Sequence, residues 1–172
     1  SGPHKRAWLL ASSRAALRQG DYSKASEQAT LAVDGKHDGM AADALSVRGL
    51  ALAFTGGEGP ALKVLTQAVQ VATESRDARV RAIALGSLAI AHQRAGRGRD
   101  ARTAYEEALA AAEEAKDAGA IATMRLNLAV IAQGEGDFAL ALQHLEASVD
   151  MGRRAGGLVL LDRKPHSRRR RA

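Results

Sequence analysis

The chain has 172 residues, 46% of them hydrophobic but only 3% aromatic, which is the length of one domain with a core built from small, closely approaching side chains. It contains no cysteine, so a disulfide framework and a thiolate metal site are excluded, and no apolar run approaches the roughly 20 residues of a membrane span. The net charge of +6 sits in the tail, because without Arg163, Lys164 and Arg168 to Arg171 the remaining basic residues only balance the 19 acidic ones, leaving no basic face on the body for nucleic acid.

Of the prolines only Pro60 lies between Pro3 and Pro165, and alanine is abundant, so long helices are expected. Lys5 to Gln19 carries Trp8, Leu9, Ala16 and Leu17 at helical spacing. Gly20 closes that helix in the left-handed conformation and Asp21 caps the next, Tyr22 to Val33, which carries Ala25, Ala29 and Ala32. After a loop from Gly35 to Gly39, Met40 to Thr55 and Gly59 to Ser75 form a second pair around Gly56-Gly57-Glu58, with Pro60 in a first turn. Leu45, Gly49 and Leu52 are expected to face Ala61, Leu65 and Ala68. Ala78 to Ala95 pairs with Gly98 to Lys116, and Ala118 to Glu135 with Phe138 to Ala155, giving eight helices.

The pairs share one register. Gly20, Gly56, Gly96 and Gly136 recur at intervals of 36, 40 and 40. Ala25, Ala61, Ala101 and Ala141 follow them at a fixed distance, as do Ala32, Ala68, Ala108 and then Ser148. Such self-similarity is the signature of a repeat array. The expected class is all-α, an α-α superhelix (solenoid) of four helix-turn-helix repeats over about 5–38, 41–77, 78–117 and 118–155, within a domain spanning 1–156. No repeat buries its apolar face alone. Residues 157–172, apolar in Leu158 to Leu161 and then basic, are expected to be disordered or truncated. Two readings of Leu158 to Leu161 stand, docking onto the last hairpin or beginning an element that the chain cuts short.

These residues resemble the tetratricopeptide repeat. Its small first-helix position is matched by Ser13, Gly49, Ala89 and Ala129, and its second-helix positions by Ala101, Tyr105 and Ala108. The fit is clearest in GEGDFALALQHLEASVD, Gly134 to Asp150. The family's usual period is about 34 residues. The longer spacing here, absorbed at Ser75-Arg76-Asp77 and Ala115-Lys116-Asp117, is similar to the repeats of kinesin light chains and of bacterial transcription regulators and signalling ATPases. Ala16, Ala29 and His92 stand where the family has aromatics. The resemblance implies a right-handed superhelix whose concave face is lined by first helices.

No constellation for catalysis is found. His4, His37, His92, His144 and His166 lack the i, i+3 or i, i+4 spacing of a helical metal site. Thr55-Gly56-Gly57-Glu58-Gly59 lacks the lysine and hydroxyl of a phosphate loop and follows a helix. Glu106-Glu107 and Glu113-Glu114 lie on the solvated side of an amphipathic helix, and no serine sits in a nucleophile elbow. His92 reads as a packed, hydrogen-bonded side chain. The chain is therefore expected to be no enzyme and to need no cofactor and no metal.

The remaining candidate is the concave groove. Placing the first helices in the repeat register gives Leu10, Arg14, Leu17, Arg18, Val47, Leu50, Phe54, Ile83, Ser87, Ile90, Arg94, Leu126, Asn127, Val130 and Gln133. This surface is apolar with polar tips, and exposure in a groove and packing between repeats stand as equal readings of its apolar members. An exposed strip of this kind suits a peptide or helix of a protein partner, or self-association through the groove or the C-terminal apolar segment. The lysine and asparagine clamp by which some tetratricopeptide proteins hold chaperone carboxylates is replaced by Leu10, Arg14, Val47, Ile83 and Ser87, leaving only the charge of Arg14. Nucleic acid is confined to Arg168, Arg169, Arg170 and Arg171, which have no aromatic interleaving. The expected role is a cytoplasmic interaction scaffold, part of a larger signalling or regulatory protein and not associated with membranes. The alternative is a module that senses a ligand or signal peptide and controls an attached transcription regulator or ATPase.

Overall fold

The computed structural model describes the backbone of residues 2–161 and the side-chain surroundings of residues 2–153. Eight helices follow one another among the described residues: α1 (Pro3–Arg18), α2 (Tyr22–Val33), α3 (Gly39–Phe54), α4 (Glu58–Glu74), α5 (Ala78–Arg94), α6 (Gly98–Glu114), α7 (Ala118–Gly134) and α8 (Phe138–Leu161). The four expected hairpins are all present. The other boundaries fall within two residues of those expected, but α8 does not end near Ala155 and continues to Leu161, with no proline to interrupt it before Pro165. The basic segment Arg168 to Arg171 lies outside the described residues.

The hairpin turns explain the glycine register. Gly20, Gly56, Gly96 and Gly136 have φ of 79°, 86°, 71° and 80°, a region that side chains resist. Each lets the following amide reach back to a carbonyl of the ending helix, as Asp21 N–H does to Ala16 (3.0 Å) and Asp137 N–H to Ala132 (2.9 Å), so orphan carbonyls are satisfied. At the start of α2, α3, α5, α7 and α8 an aspartate, Asp21, Asp38, Asp77, Asp117 or Asp137, accepts from a first-turn amide. The junctions between repeats reuse the left-handed turn without glycine: Arg76 and Lys116 have φ of 56° and 53°.

Small residues set the distance between helices. Ser13, Gly49, Ala89 and Ala129 are all buried. A Cβ on Gly49 would lie 2.4 Å from Leu65 Cγ, so α3 and α4 touch at a distance only glycine permits. Buried clusters then join each hairpin to the next. Tyr105, 1% exposed, packs with Leu85 and Ala89 of α5 and with Ile121, Met124, Leu128 and Ile131 of α7, and donates its hydroxyl to Gln93 Oε1 at 3.2 Å.

Among the described residues consecutive odd-numbered helices touch, α1 with α3, α3 with α5 and α5 with α7, whereas consecutive even-numbered helices do not. The odd layer is therefore the shorter one, and the stack curves with α1, α3, α5 and α7 on its inner side. Of the three odd-layer approaches, that between α5 and α7 is the loosest, and Met124 stands in it, its Cε 2.9 Å from where a Cβ on Gly86 would be.

Candidate peptide-binding groove

Helical geometry sorts the fifteen groove candidates into three groups. Leu10, Val47 and Ser87 are 8%, 4% and 5% exposed. They are packing residues, not open surface. Leu10 and Val47 share one core cluster that joins α1 to α3, and Ser87 Oγ donates to the Ile83 carbonyl at 2.8 Å. Each lies on the flank of its helix that faces a neighbouring first helix, and the tight spacing of the odd layer closes over it. Arg14, Leu17, Leu50, Ile83, Ile90 and Asn127 are half-buried. Among them Leu17 and Ile90 pack against the buried clusters. Arg18, Phe54, Arg94, Leu126, Val130 and Gln133 are exposed.

Arg14 of α1 pairs with Asp43 of α3 across the inner layer. Its charge is thereby committed within the array. At the other end of the first helices the inner rim carries a fixed stack. Tyr22, the first residue of α2, lies parallel to Phe54 with ring centroids 5.3 Å apart and 7° between planes. The Arg94 guanidinium sits 4.4 Å from the Phe54 ring centroid on the same ring, and Arg94 Nε donates to the Ala53 carbonyl at 3.1 Å. Cation–π contact and the hydrogen bond hold this long side chain in one pose, so an aromatic and a cation are presented together without further ordering. Beside the stack Ala53, Ala61, Ala91 and Arg94 line a cavity of about 180 Å³, with Glu58 at its edge. Glu58 is held in turn by Arg97 at 3.0 Å.

Tyr22 was not among the sequence candidates. Its register position opens a second helix, so only the 40-residue relation of Phe54 to Arg94, both last residues of a first helix, points toward that rim. His92 departs from the expected hydrogen-bonded histidine: it is half-buried, its Nδ1 has no hydrogen-bond partner, and Asp100 lies 3.9 Å away.

The titratable groups that shift serve the scaffold. Arg6, 7% exposed, ties α1 to the head of α3 by donating to both Asp38 oxygens at 2.7 and 2.8 Å and to the Ala32 carbonyl at 2.9 Å. The Arg6 hydrogen bond is the main cause that holds the Asp38 carboxyl down at about 2. Burial pushes the Tyr105 hydroxyl up to about 12. Burial, and then the charges of Arg125 and Arg102, lower His144, with Glu106 opposing. Among the described residues no group of three or more histidine and acidic side chains is placed to hold a metal. Nor is any helix there long and apolar enough to cross a membrane.

Hairpins of constant register, a glycine-closed turn and a curved inner layer are the marks of one repeat family. The tetratricopeptide repeat profile matches residues 81–115, which is α5 with α6, the third hairpin. The third hairpin is a tetratricopeptide repeat, and the fold of the chain is that of tetratricopeptide-type repeats. Its fold is shared with a Rap protein solved with Competence and Sporulation Factor (TM-score 0.81, 16% identity, 86% of this chain and 43% of that one). It is shared also with a putative kinesin light chain from Podosopora anserina (TM-score 0.70, 18% identity, 90% and 78%). A third neighbour is MamA (TM-score 0.65, 18% identity, 90% and 82%). The chain spans less than half the length of the Rap protein. Comparison with curated proteins gives no match.

Proposed function

We propose that this tetratricopeptide-type array is a protein-interaction scaffold whose inner face binds a peptide or helix of a partner protein. The observation that carries the reading is the rim stack of Tyr22, Phe54 and Arg94 beside half-buried Leu50 and Ile90. It is a rigid surface that offers apolar area, an aromatic face and a cation along one line. Amphipathic segments are recognised in this way, with apolar anchors supplying area and a charge fixing direction. The Rap protein of the same fold was solved with a bound factor, which supports the use of such a scaffold for binding.

Partner and setting follow from the same reading. The scaffold belongs to a larger cytoplasmic signalling or regulatory protein, and the alternative is a sensor of a ligand or signal peptide that controls an attached effector. The loose approach between α5 and α7 favours the sensor to this extent: it is the place where the inner layer closes with least rearrangement.

The test is selection of binding peptides from a displayed random library by the folded chain, followed by competition with Phe54→Ala, Arg94→Ala and Leu50→Glu. Binding lost in these variants while their far-UV circular dichroism and melting remain those of the wild type supports the groove. Undiminished capture by all three refutes it.

A further inference from the structure

The last hairpin leaves uncovered the face that every earlier hairpin buries. In register, Ala29, Leu65 and Tyr105 are 0%, 0% and 1% exposed beneath the helix that follows, but Leu145 is 40% exposed. On the first helices Ser46 and Gly86 are buried where Leu126 is 48% exposed. The helix α8 is consequently apolar on two sides. Ala141, His144, Ala147, Ser148 and Met151 form its inner side, with Ser148 Oγ donating to the Ala122 carbonyl of α7 at 3.1 Å and Met151 packing on the core. Phe138, Leu142, Leu145 and Val149, 69%, 56%, 40% and 51% exposed, form the outer side.

That outer side has a period of its own. Phe138, Leu142, Leu145, Val149 and Gly152 are spaced by four, three, four and three residues, and Gly156 and Val159 continue the alternation in sequence. This is the heptad of a helix that pairs with another helix. The α8 helix is also longer than the array requires, 24 residues against 17 in α4 to α7. The surplus is about two further turns. Among the described residues nothing requires a glycine at 152, since a Cβ there would meet nothing within 4 Å and glycine inside a helix costs about 1 kcal/mol relative to alanine.

We propose that two copies of the chain pair antiparallel through the outer faces of α8. In that register Val149 faces Gly152 of the second copy and Leu145 faces the position of Gly156, so large residues lie against small ones and the backbones approach closely. The same register sets Glu146 beside Arg153 of the second copy, and Arg153 beside its Glu146. Both side chains are exposed and border the seam, so one two-fold axis matches charge and volume together. A parallel pairing offers no such match, because the positions that would flank Glu146 there are Ala141 and Ser148. The cavity of about 270 Å³ bounded by Val130, Phe138, Leu142 and Leu145 lies at the end of the seam that position 159 of the second helix reaches. The pairing does not rest on the groove reading.

The test is the mass of the full chain by sedimentation equilibrium over a dilution series. Twice 18.0 kDa at high concentration, dissociating on dilution, is expected. Leu145→Glu and Gly152→Leu each give monomers with unchanged helicity, the second because a side chain blocks the seam although the single chain has room for it. Glu146→Arg and Arg153→Glu each weaken the dimer several-fold, and the double exchange restores it. A chain that stays monomeric at every concentration, a dimer indifferent to Leu145→Glu and Gly152→Leu, or a double exchange without rescue overturns the proposal.

Discussion

Replacing Gly49 by alanine sets two effects of opposite sign against each other, and the geometry decides between them. In a helix interior alanine is favoured over glycine by about 1 kcal/mol. Against this, the added Cβ would lie 2.4 Å from Leu65 Cγ and 2.6 Å from Cδ2. The near atom is a branch carbon close to the backbone, and Leu65 is 0% exposed among Ala53, Ala61 and Ala91, so it has nowhere to rotate. Overpacking of this kind costs about 1–3 kcal/mol, which leaves Gly49→Ala less stable by about 1 kcal/mol on balance, or a melting temperature lower by about 2–4 °C for a chain of this size. Gly86→Ala is the control, since its Cβ would meet Met124 at Cε (2.9 Å) and Sδ (3.3 Å). These are terminal atoms of a flexible side chain that can move aside, so the propensity gain survives and the variant is as stable as the wild type or up to about 1 kcal/mol more so. Urea unfolding followed by far-UV circular dichroism, with the m-value checked for each variant, gives both numbers. In a Leu65→Ala background the penalty at Gly49 should vanish, a coupling of about 1–3 kcal/mol for residues in contact. Equal shifts of one sign for the two glycines, or no coupling to Leu65, would refute the argument that close approach selects glycine at position 49.

Lys116→Gly should stabilise the array by about 0.5–1 kcal/mol, because Lys116 holds φ of 53° in a turn that elsewhere uses glycine; a melting temperature that fails to rise in that variant removes the strain argument. Asp38→Asn keeps a capping side chain at the head of α3 but loses the Arg6 charge pair. Because the Asp38 carboxyl is held at about 2 in the folded chain and at about 3.9 in an unfolded one, the pair contributes above that range and its contribution is lost as pH falls through it. The stability gap between wild type and variant, measured by urea unfolding, should therefore close between pH about 4 and about 2. His144 has the opposite charge logic. Its folded pKa is lowered by burial and by Arg125 and Arg102, so protons bind preferentially to the unfolded chain and stability falls as pH drops below about 6.5. His144→Gln should flatten that limb of the unfolding profile, and an unchanged slope would contradict the assignment.

The array was legible in the sequence because its information is repetitive. Four copies of one glycine, one alanine and one small first-helix residue fix hairpin number, turn position and packing face together, and the left-handed φ at Gly20, Gly56, Gly96 and Gly136 is the physical reason for the spacing. Burial along the inner layer was not legible at the same resolution. Leu10 lies beside exposed Ala11, and Val47 and Ser87 beside half-buried Arg48 and Leu88, and whether such a residue is open or covered depends on how closely the neighbouring first helix approaches, which is set by side chains a repeat away. The rim stack was hidden for a related reason, since Tyr22 and Phe54 meet across a hairpin boundary and neither helix announces the other. The end of α8 lacked any signal, because Gly156 and Gly157 resemble a helix stop in sequence yet lie within the helix in the structure.

Curvature and specificity come from the same column of residues. Leu10, Ser46, Gly86 and Leu126 occupy equivalent places in successive first helices, and the first three are buried. The side chain shrinks from leucine to serine to glycine, yet the helices do not draw steadily closer, for α7 stands furthest from its predecessor. The space left by Gly86 is filled instead by Met124 of the incoming helix, a side chain whose unbranched thioether accepts several poses. The helices of the inner layer therefore approach one another more extensively from α1 to α5 than between α5 and α7. A ligand that drew α7 inward would act on Met124 and would leave the rim stack of Tyr22, Phe54 and Arg94 in place. Under the proposed function, the rim stack is the fixed anchor for a bound segment and the Met124 side of the inner layer is the wall that adapts to it.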